Sequence, residues 1–244
     1  MVQYPHLSKG DALNAPPLAR QLEAAFERAR DMDVSLAQRL DYVADAVRSL
    51  SDEFAGGVDR LVARLNAAEA GSQAPRIGEM MPPFSLPDEK GEMVSLESEL
   101  EKGPVAVVFN RGHWCPYCRL NTWALAGAQR HLGDRGEIIA ITPEVARFAG
   151  QMKDEAHAPF PVLTDLDNGY AMSLNLAFWV GEEMRALMTA GGFIPSVGQH
   201  NDAWFLPIPA TFVVGPDGRI KNRFIDPDYR KRMQIEDLIA SLRN

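Results

Sequence analysis

The sequence predicts an α/β protein with a mixed central sheet flanked by helices and with an N-terminal helical extension. Three observations support this prediction. Apolar residues recur at helical spacing over residues 18–65, whereas continuous apolar runs typical of buried strands begin after residue 100. A Gly-Pro-Asp-Gly turn at 215–218 joins two further strands into a hairpin, and helical segments separate the earlier strands.

The helical extension is predicted to span residues 1–75. Its clearest stripe of apolar residues, at spacings of three and four, consists of Leu36, Leu40, Val43, Val47, Leu50 and Phe54. An earlier helix is expected to start near residues 14–17, and Gly56-Gly57 is expected to interrupt the pattern before a third helix. The stripe allows two interpretations: a lid packed on the main domain, or a surface that joins two copies into a homodimer.

The main domain is predicted to span residues 76–244, beginning within a proline-containing linker at 68–84. Predicted strands lie at 105–109, 136–142 and 161–164 and in the hairpin at 210–226. Predicted helices lie at 119–132, after Pro143 and at 235–244. Strand and helix alternate here, which favours a sheet that contains both parallel and antiparallel pairs.

Composition limits the classes of partner. The chain of 244 residues has a net charge of −8, and its lysines and arginines form no run, so nucleic acid and anionic membrane are poor partners. Its apolar runs reach about five residues, against roughly 20 for a transmembrane helix. No basic and apolar leader opens the sequence, so a cytoplasmic location is expected.

The chain contains two cysteines, Cys115 and Cys118. A structural disulfide that closes so short a loop would add little stability. A structural zinc site needs four ligands, and one CxxC supplies only two. We therefore expect neither a metal nor another cofactor. In a reducing compartment, a lone CxxC is more typical of redox chemistry.

The position of the pair indicates how the two thiols differ. Cys115 follows a buried strand, and Pro116 suits the first position of a helix. Free N–H groups and the helix dipole are expected to lower the pKa of Cys115 and make its thiolate the nucleophile. Cys118, one turn further along, is expected to be more buried, to keep a higher pKa and to attack an oxidised Cys115.

Several neighbours of the pair are candidate site residues. Arg111 could stabilise negative charge at the sulfur, or be an ordinary loop arginine. Trp114 and Tyr117 could shield the sulfurs, or serve in packing, and His113 needs no function where it lies. Further along, Ile208 and Pro209 precede a strand; the proline could simply begin the strand, or form a cis bond that faces the cysteines.

Five segments resemble the alkyl hydroperoxide reductase / thiol-specific antioxidant (AhpC/TSA) family in order and spacing. They are GEMMPPFSLPDEKGEMVSL (78–96), VAVVFNRGHWCPYC (105–118), ITPE (141–144), PFPVLTD (159–165) and PATFVVGPDGRI (209–220). The nearest likeness is to a bacterial peroxiredoxin-like branch with an Arg-Gly-x-Trp-Cys-Pro-Tyr-Cys signature. The extension is similar to the N-terminal extension of that branch.

The resemblance implies a thioredoxin-like fold, with Cys115 as the peroxidatic and Cys118 as the resolving cysteine. It also implies that Pro209 is the cis-proline opposite the CxxC. The sequence departs from typical peroxiredoxins, since Val108 and Gly112 stand where a proline and a threonine or serine are usual. Pro209 likewise replaces the distal arginine of that family. Asp202 and Trp204 resemble residues of the branch, without an implied role.

Three functions remain open at this point. The first, which the family resemblance supports, is a thiol-dependent peroxidase recycled by a thioredoxin-, glutaredoxin- or glutathione-type donor. The missing threonine argues against high efficiency in this reaction. The second is a thiol-disulfide oxidoreductase acting on protein or glutathione disulfides, which the Pro-Tyr between the cysteines favours. The third is a redox sensor or partner-binding module whose helical extension responds to the state of the cysteines.

Overall fold

The computed structural model describes residues 17–243. Its helices are α1 (Pro17–Asp31), α2 (Leu36–Leu50), α3 (Asp52–Ala67), α4 (Leu96–Leu100), α5 (Pro116–Leu132), α6 (Ala146–Ala156), α7 (Gly169–Ser173), α8 (Glu182–Gly191), α9 (Pro195–Gln199) and α10 (Ile235–Arg243). None of these helices is both long and apolar enough to span a bilayer.

The strands form one five-stranded sheet and two small two-stranded ones. They are β1 (Ser85–Pro87), β2 (Met93–Ser95), β3 (Val105–Phe109), β4 (Glu137–Thr142), β5 (Val162–Thr164), β6 (Ala177–Trp179), β7 (Phe205–Pro207), β8 (Ala210–Val214) and β9 (Ile220–Ile225). The main sheet has the order β5-β4-β3-β8-β9. β3, β4 and β5 run parallel, while β8 is antiparallel to both β3 and β9. The predicted α/β class with a mixed sheet is confirmed.

Burial explains why β3 lies at the centre of the sheet. All five of its residues are buried, and β4 and β8, which flank it, are buried almost throughout. Continuous apolar runs are stable only where both faces of a strand are covered. α5 packs against β4, α6 and α10. The chain leaving β3 therefore enters α5 beside the middle of the sheet.

The predicted break at Gly56-Gly57 is wrong. The helix breaks at Ser51, whose backbone is extended (φ −157°, ψ 98°), and α3 continues through both glycines. The Ser51 hydroxyl accepts a hydrogen bond from the N–H of Phe54 at 3.1 Å and so caps α3. Gly57 instead allows a close approach between helices, because a Cβ there would lie 2.2 Å from a methyl carbon of Leu187 in α8.

Ser51→Ala is expected to destabilise the protein by about 1 kcal/mol, because an N–H at the start of α3 loses its partner. Urea unfolding should show a lower midpoint with an unchanged m-value. Thr189→Ala is the matched control, since its exposed hydroxyl bonds only to a carbonyl within its own helix. Equal midpoints for Ser51→Ala and Thr189→Ala would show that Ser51 does not act as a cap.

The helical extension packs against the rest of the chain. α1 and α2 contact α5, and α3 contacts α8. Five residues of the predicted stripe are buried, whereas Leu50 is exposed; the buried ones are Leu36, Leu40, Val43, Val47 and Phe54. All of the apolar stripe except Leu50 is therefore covered within one chain, which favours the lid interpretation.

Candidate active site

The two cysteines lie where the sequence predicts, at the junction of β3 and α5. Cys115 is the N-cap residue of α5, and Pro116 is its first residue. Both thiols are free, and the residues are 1% and 0% exposed. In the part of the chain that the structure describes, no cluster of three or more ligand side chains could hold a metal ion.

Two buried arginines contact the sulfurs. Nη1 of Arg111 lies 4.0 Å from Sγ of Cys115, as the sequence suggests. Sγ of Cys118 accepts a hydrogen bond from the backbone N–H of Arg111 at 3.3 Å and another from Nη2 of Arg232 at 3.4 Å. Cys118 therefore has two N–H donors, whereas the Cys115 side chain receives no capping hydrogen bond from α5.

This geometry reverses the predicted order of acidity. Burial opposes ionisation of both thiols, and it raises the pKa of Cys115, whose S–H donates to Cys118. At Cys118 burial is outweighed by the hydrogen bond from Cys115 and by the charges of Arg232 and Arg111, which lower its pKa to about 5. The prediction failed because the helix N-terminus does not donate to Cys115, while Arg232 reaches Cys118.

Aromatic rings hold Arg111 in place. Its guanidinium lies 3.7 Å from the ring centroid of Tyr229 and 4.8 Å from that of Trp114. Tyr117 meets Tyr229 edge to face, with ring centroids 5.4 Å apart. Burial raises the pKa of both tyrosines, so their hydroxyls are neutral beside the arginine. Trp114 and Tyr117 thus belong to the wall of the site.

A cavity of about 20 Å³, enough for roughly one water molecule, adjoins Cys115. Its lining is mainly apolar and comes from the helical extension, the cysteine loop and the region of α8. The lining residues are Leu22, Val47, Phe54, Arg111, Trp114, Cys115, Pro116, Tyr117, Met184, Met188, Phe193 and Tyr229. The Arg111 Nε–H and the Trp114 indole N–H are buried without a partner in the described chain.

Residues 202–209, which precede and include the start of the path into β8, do not line the site as the sequence predicts. The structure contains no cis peptide bond within residues 17–243, so the prediction of a cis bond at Pro209 is wrong. Pro209 continues the path from β7 into β8, which a trans bond serves. Ile208 is buried, and neither it nor Pro209 lines the cavity described above. Asp202 is exposed, and Trp204 is buried beneath Arg185.

Glu144, which follows β4, contacts the loop that leads to the cysteines. Its carboxylate accepts a hydrogen bond from the backbone N–H of His113 at 2.5 Å. Gly112 has φ +142° and lies so close that a Cβ would be 2.8 Å from the Glu144 carboxyl carbon. Burial, together with the nearby Cys118 charge, raises the pKa of Glu144 to about 8 against the effect of the His113 bond. At neutral pH the carboxyl is therefore mostly protonated.

Glu144→Gln is expected to change how stability depends on pH. A carboxyl whose pKa rises on folding stabilises the fold at low pH, and this contribution is lost as the pH rises from about 4 to 8. The variant has no titrating group at residue 144. Its free energy of unfolding, relative to that of the wild type, should therefore increase between pH 5 and pH 8. Urea unfolding of both proteins with reduced thiols tests this, and exposed Glu97→Gln is the control. A difference that stays constant with pH would contradict the prediction.

A network of charges connects the cysteine loop to the helical extension. Nε2 of His113 lies 3.0 Å from Glu155 of α6, which also binds Arg119 of α5. Arg119 donates to Glu23 of α1 at 2.6 and 2.7 Å, and its guanidinium lies 3.8 Å from the ring centroid of Phe26. Helix α1 is thus tied to the helix that begins at the cysteines.

Sequence reasoning missed three groups at this site. Arg232 and Tyr229 come from the loop between β9 and α10, more than 100 residues after the cysteines. Glu144 lies within the ITPE segment, which carries no signal of its own for a buried acid. The apolar residues of the extension were recognised as a stripe, but their contact with the cavity follows only from the packing of α1–α3.

Solved structures of known proteins share this fold. Peroxidoxin BcpB of Mycobacterium tuberculosis matches with a TM-score of 0.53 at 17% identity, over 69% of this chain and 96% of that one. The yeast mitochondrial 1-Cys peroxiredoxin matches with a TM-score of 0.52 at 18% identity, over 68% and 73%. A variant of peroxiredoxin 6 of Arenicola marina gives 0.53 at 18%, over 69% and 72%. The predicted thioredoxin-like fold is confirmed.

A search of curated protein sequences finds no match. The model of the AhpC/TSA family, in contrast, matches residues 77–223. This range contains both cysteines, Arg111 and Glu144, whereas Arg232 and α1–α3 lie outside it. The matched range is more than half of the sequence, and the chain therefore belongs to the AhpC/TSA family.

Proposed function

We propose that the protein is a thiol-dependent peroxidase in which Cys115 reduces a hydroperoxide and Cys118 resolves the product. Membership of the AhpC/TSA family supports this activity. The observation that carries the proposal is the cavity beside Cys115, which has room for about a water-sized group and is lined by Arg111 and Trp114. Each of these two side chains has a buried N–H without a partner in the described chain. These donors, on Arg111 and Trp114, can bind peroxide oxygens in place of the threonine hydroxyl that the sequence lacks.

The first step breaks the O–O bond. The Cys115 sulfur attacks the distal oxygen of ROOH while its proton passes to the Cys118 thiolate. This leaves a sulfenic acid on Cys115, a thiol on Cys118 and an alkoxide RO⁻. The guanidinium of Arg111, next to Cys115, stabilises the negative charge that develops on the leaving oxygen. The alkoxide then takes the proton from Cys118 and leaves as ROH.

The second step joins the two sulfurs. The Cys118 thiolate attacks the sulfenic sulfur of Cys115, the S–S bond forms and hydroxide leaves. Two electrons from an external thiol donor reduce this disulfide, and the donor itself becomes a disulfide. The structure of the yeast relative is described with glutathione and thioredoxin systems, which supports a donor of either type here. A reducing cytoplasm would supply such a donor.

The burial of Cys115 disfavours the second function considered above, a thiol-disulfide oxidoreductase acting on proteins. Cys115 is 1% exposed and is covered by Leu22, Val47 and Phe54 of the helical extension. A folded disulfide substrate would have to displace the extension before reaching the sulfur. We propose that residues 17–75 act as a cover over the site, and that they open when the donor reduces the disulfide. We propose no homodimer through the stripe, because all of its residues except Leu50 are buried within the chain.

Stopped-flow mixing of the reduced protein with hydrogen peroxide tests the function, with Trp114 as a fluorescent reporter beside Cys115. We expect oxidation far faster than that of a free thiol. Cys118→Ser should accumulate a sulfenic acid that a dimedone-type reagent traps on Cys115, and Cys115→Ser should show neither reaction. A wild-type rate no higher than that of glutathione would overturn the proposal and favour disulfide exchange.

A further inference from the structure

Arg111 and Arg232 are two buried positive charges without carboxylate partners. They are 3% and 5% exposed, and neither forms an ion pair with an acidic side chain within residues 17–243. Nη1 of Arg232 donates to the carbonyl oxygens of Tyr229 and Lys231, and its Nε has no partner there. Asp228, four residues before Arg232, pairs with Arg230 instead.

An unpaired buried charge is costly, so these guanidiniums need a negative charge close by. The other titratable groups that face Cys118 are Cys115 and Glu144. Glu144 is mostly protonated at neutral pH, and the tyrosines near Arg111 are neutral, as described above. The thiols are therefore the available counter-charge. The Arg111 guanidinium lies against Cys115, while Cys118 accepts hydrogen bonds from the Arg232 guanidinium and from the backbone N–H of Arg111.

We propose that Arg232 is a catalytic residue that holds Cys118 as a thiolate, ready to attack the sulfenic acid on Cys115. Its Nη2 donates directly to the reacting sulfur at 3.4 Å. The attack needs the thiolate, since the thiol is not the nucleophile. The identity of the attacking step rests on the proposed function. The electrostatic interaction between Arg232 and Cys118 does not depend on it.

The same contact affects the redox equilibrium. Formation of the disulfide removes the thiolate and leaves Arg111 and Arg232 without a counter-charge. The reduced state is thereby favoured, and a dithiol whose reduced form is stabilised makes an oxidising disulfide. Loss of Arg232 should therefore make the disulfide harder to reduce.

Two variants and one matched control test the inference. Arg232→Met and Arg232→Gln remove the charge, the second while keeping an amide donor, and Arg230→Met removes a neighbouring arginine that pairs with Asp228 and Asp59. In a Cys115→Ser background, the thiolate absorbance of Cys118 is titrated against pH. In the intact pair, the disulfide is equilibrated with glutathione. Circular dichroism shows whether each variant is folded.

Both neutral variants are expected to raise the titration midpoint of Cys118 by about one pH unit or more, that is, about tenfold in acidity. The equilibrium constant with glutathione should shift about tenfold towards the disulfide, which corresponds to about 30 mV lower potential. Arg230→Met should match the parent in both assays. Unchanged midpoints in folded Arg232 variants would overturn the inference. Neither assay contains peroxide, so a protein inactive towards peroxide could still confirm it.

Discussion

Arg111→Met is expected to slow the oxidation of Cys115 by peroxide by about 10²–10³-fold, the usual cost of removing one donor that stabilises a developing anion. The guanidinium lies 4.0 Å from the Cys115 sulfur, and its Nε–H has no partner in the described chain. The rate constant from stopped-flow fluorescence measures the effect. The backbone N–H of residue 111, which donates to Cys118, remains in the variant.

Stability separates this effect from damage to the fold. Arg111 is a buried charge without a carboxylate partner, and methionine fills a similar volume, so the free energy of unfolding should be unchanged or higher. Arg111→Lys keeps the charge without the planar contacts to Tyr229 and Trp114, and should fall between the wild type and Arg111→Met in rate. A rate within threefold of the wild type (roughly 0.6 kcal/mol of barrier) would show that Arg111 does not stabilise the leaving oxygen.

Arg119→Leu is expected to cost about 3–5 kcal/mol of stability, as does breaking other buried ion pairs by removing one partner. Arg119 is largely buried and joins Glu155 of α6 to Glu23 of α1. Although burial opposes it, the Arg119 charge, with His113, lowers the pKa of Glu155 to about 2. Stability from this carboxylate is present above about pH 4.3 and is lost as the pH falls towards 2, so the variant should also lose less stability in acid.

Urea unfolding at pH 7 and pH 3 measures both effects. Arg60→Leu is the control, because its ion pair with Glu183 joins the extension to α8 but is more than half exposed, and it should change little. Since Arg119 ties α1 over the site, Cys115 in Arg119→Leu should also react faster with iodoacetamide than in Arg60→Leu. Equal stability of the two variants would show that the network does not hold the extension.

The sheet and the start of α5 could be predicted because their signals are local. β3 and β4 are continuous apolar runs, and Pro116 marks the first helical position. The pieces missed in the main domain have weak local signals: β6 and β7 are three residues each and are stable only as a pair. The helix break at Ser51 was missed because the apolar spacing continues across it, and only the hydroxyl cap marks the end.

The acidity of the two thiols could not be predicted from the CPYC segment. Its position at the helix N-terminus alone predicts that Cys115 has the lower pKa. This prediction would hold if no other charged group lay near the two sulfurs. Cys118 is favoured instead by the hydrogen bond from Cys115 and by the charges of Arg232 and Arg111. Arg232 lies 114 residues after Cys118, in a loop that follows β9 and returns to the sulfur. The local sequence around Arg232 carries no sign of that contact, since it depends on the whole sheet being formed.

That distance along the chain has a consequence for the protein during its synthesis. At about 5–20 residues per second, a ribosome needs roughly 6–23 s to make the stretch from Cys118 to Arg232. Until then Cys118 lacks its counter-charge, and both thiols keep pKa values near those of free cysteine, about 8.5. The nascent chain therefore meets cellular oxidants as an ordinary, slow-reacting dithiol, and its reactivity begins when the C-terminal loop has been released and docked.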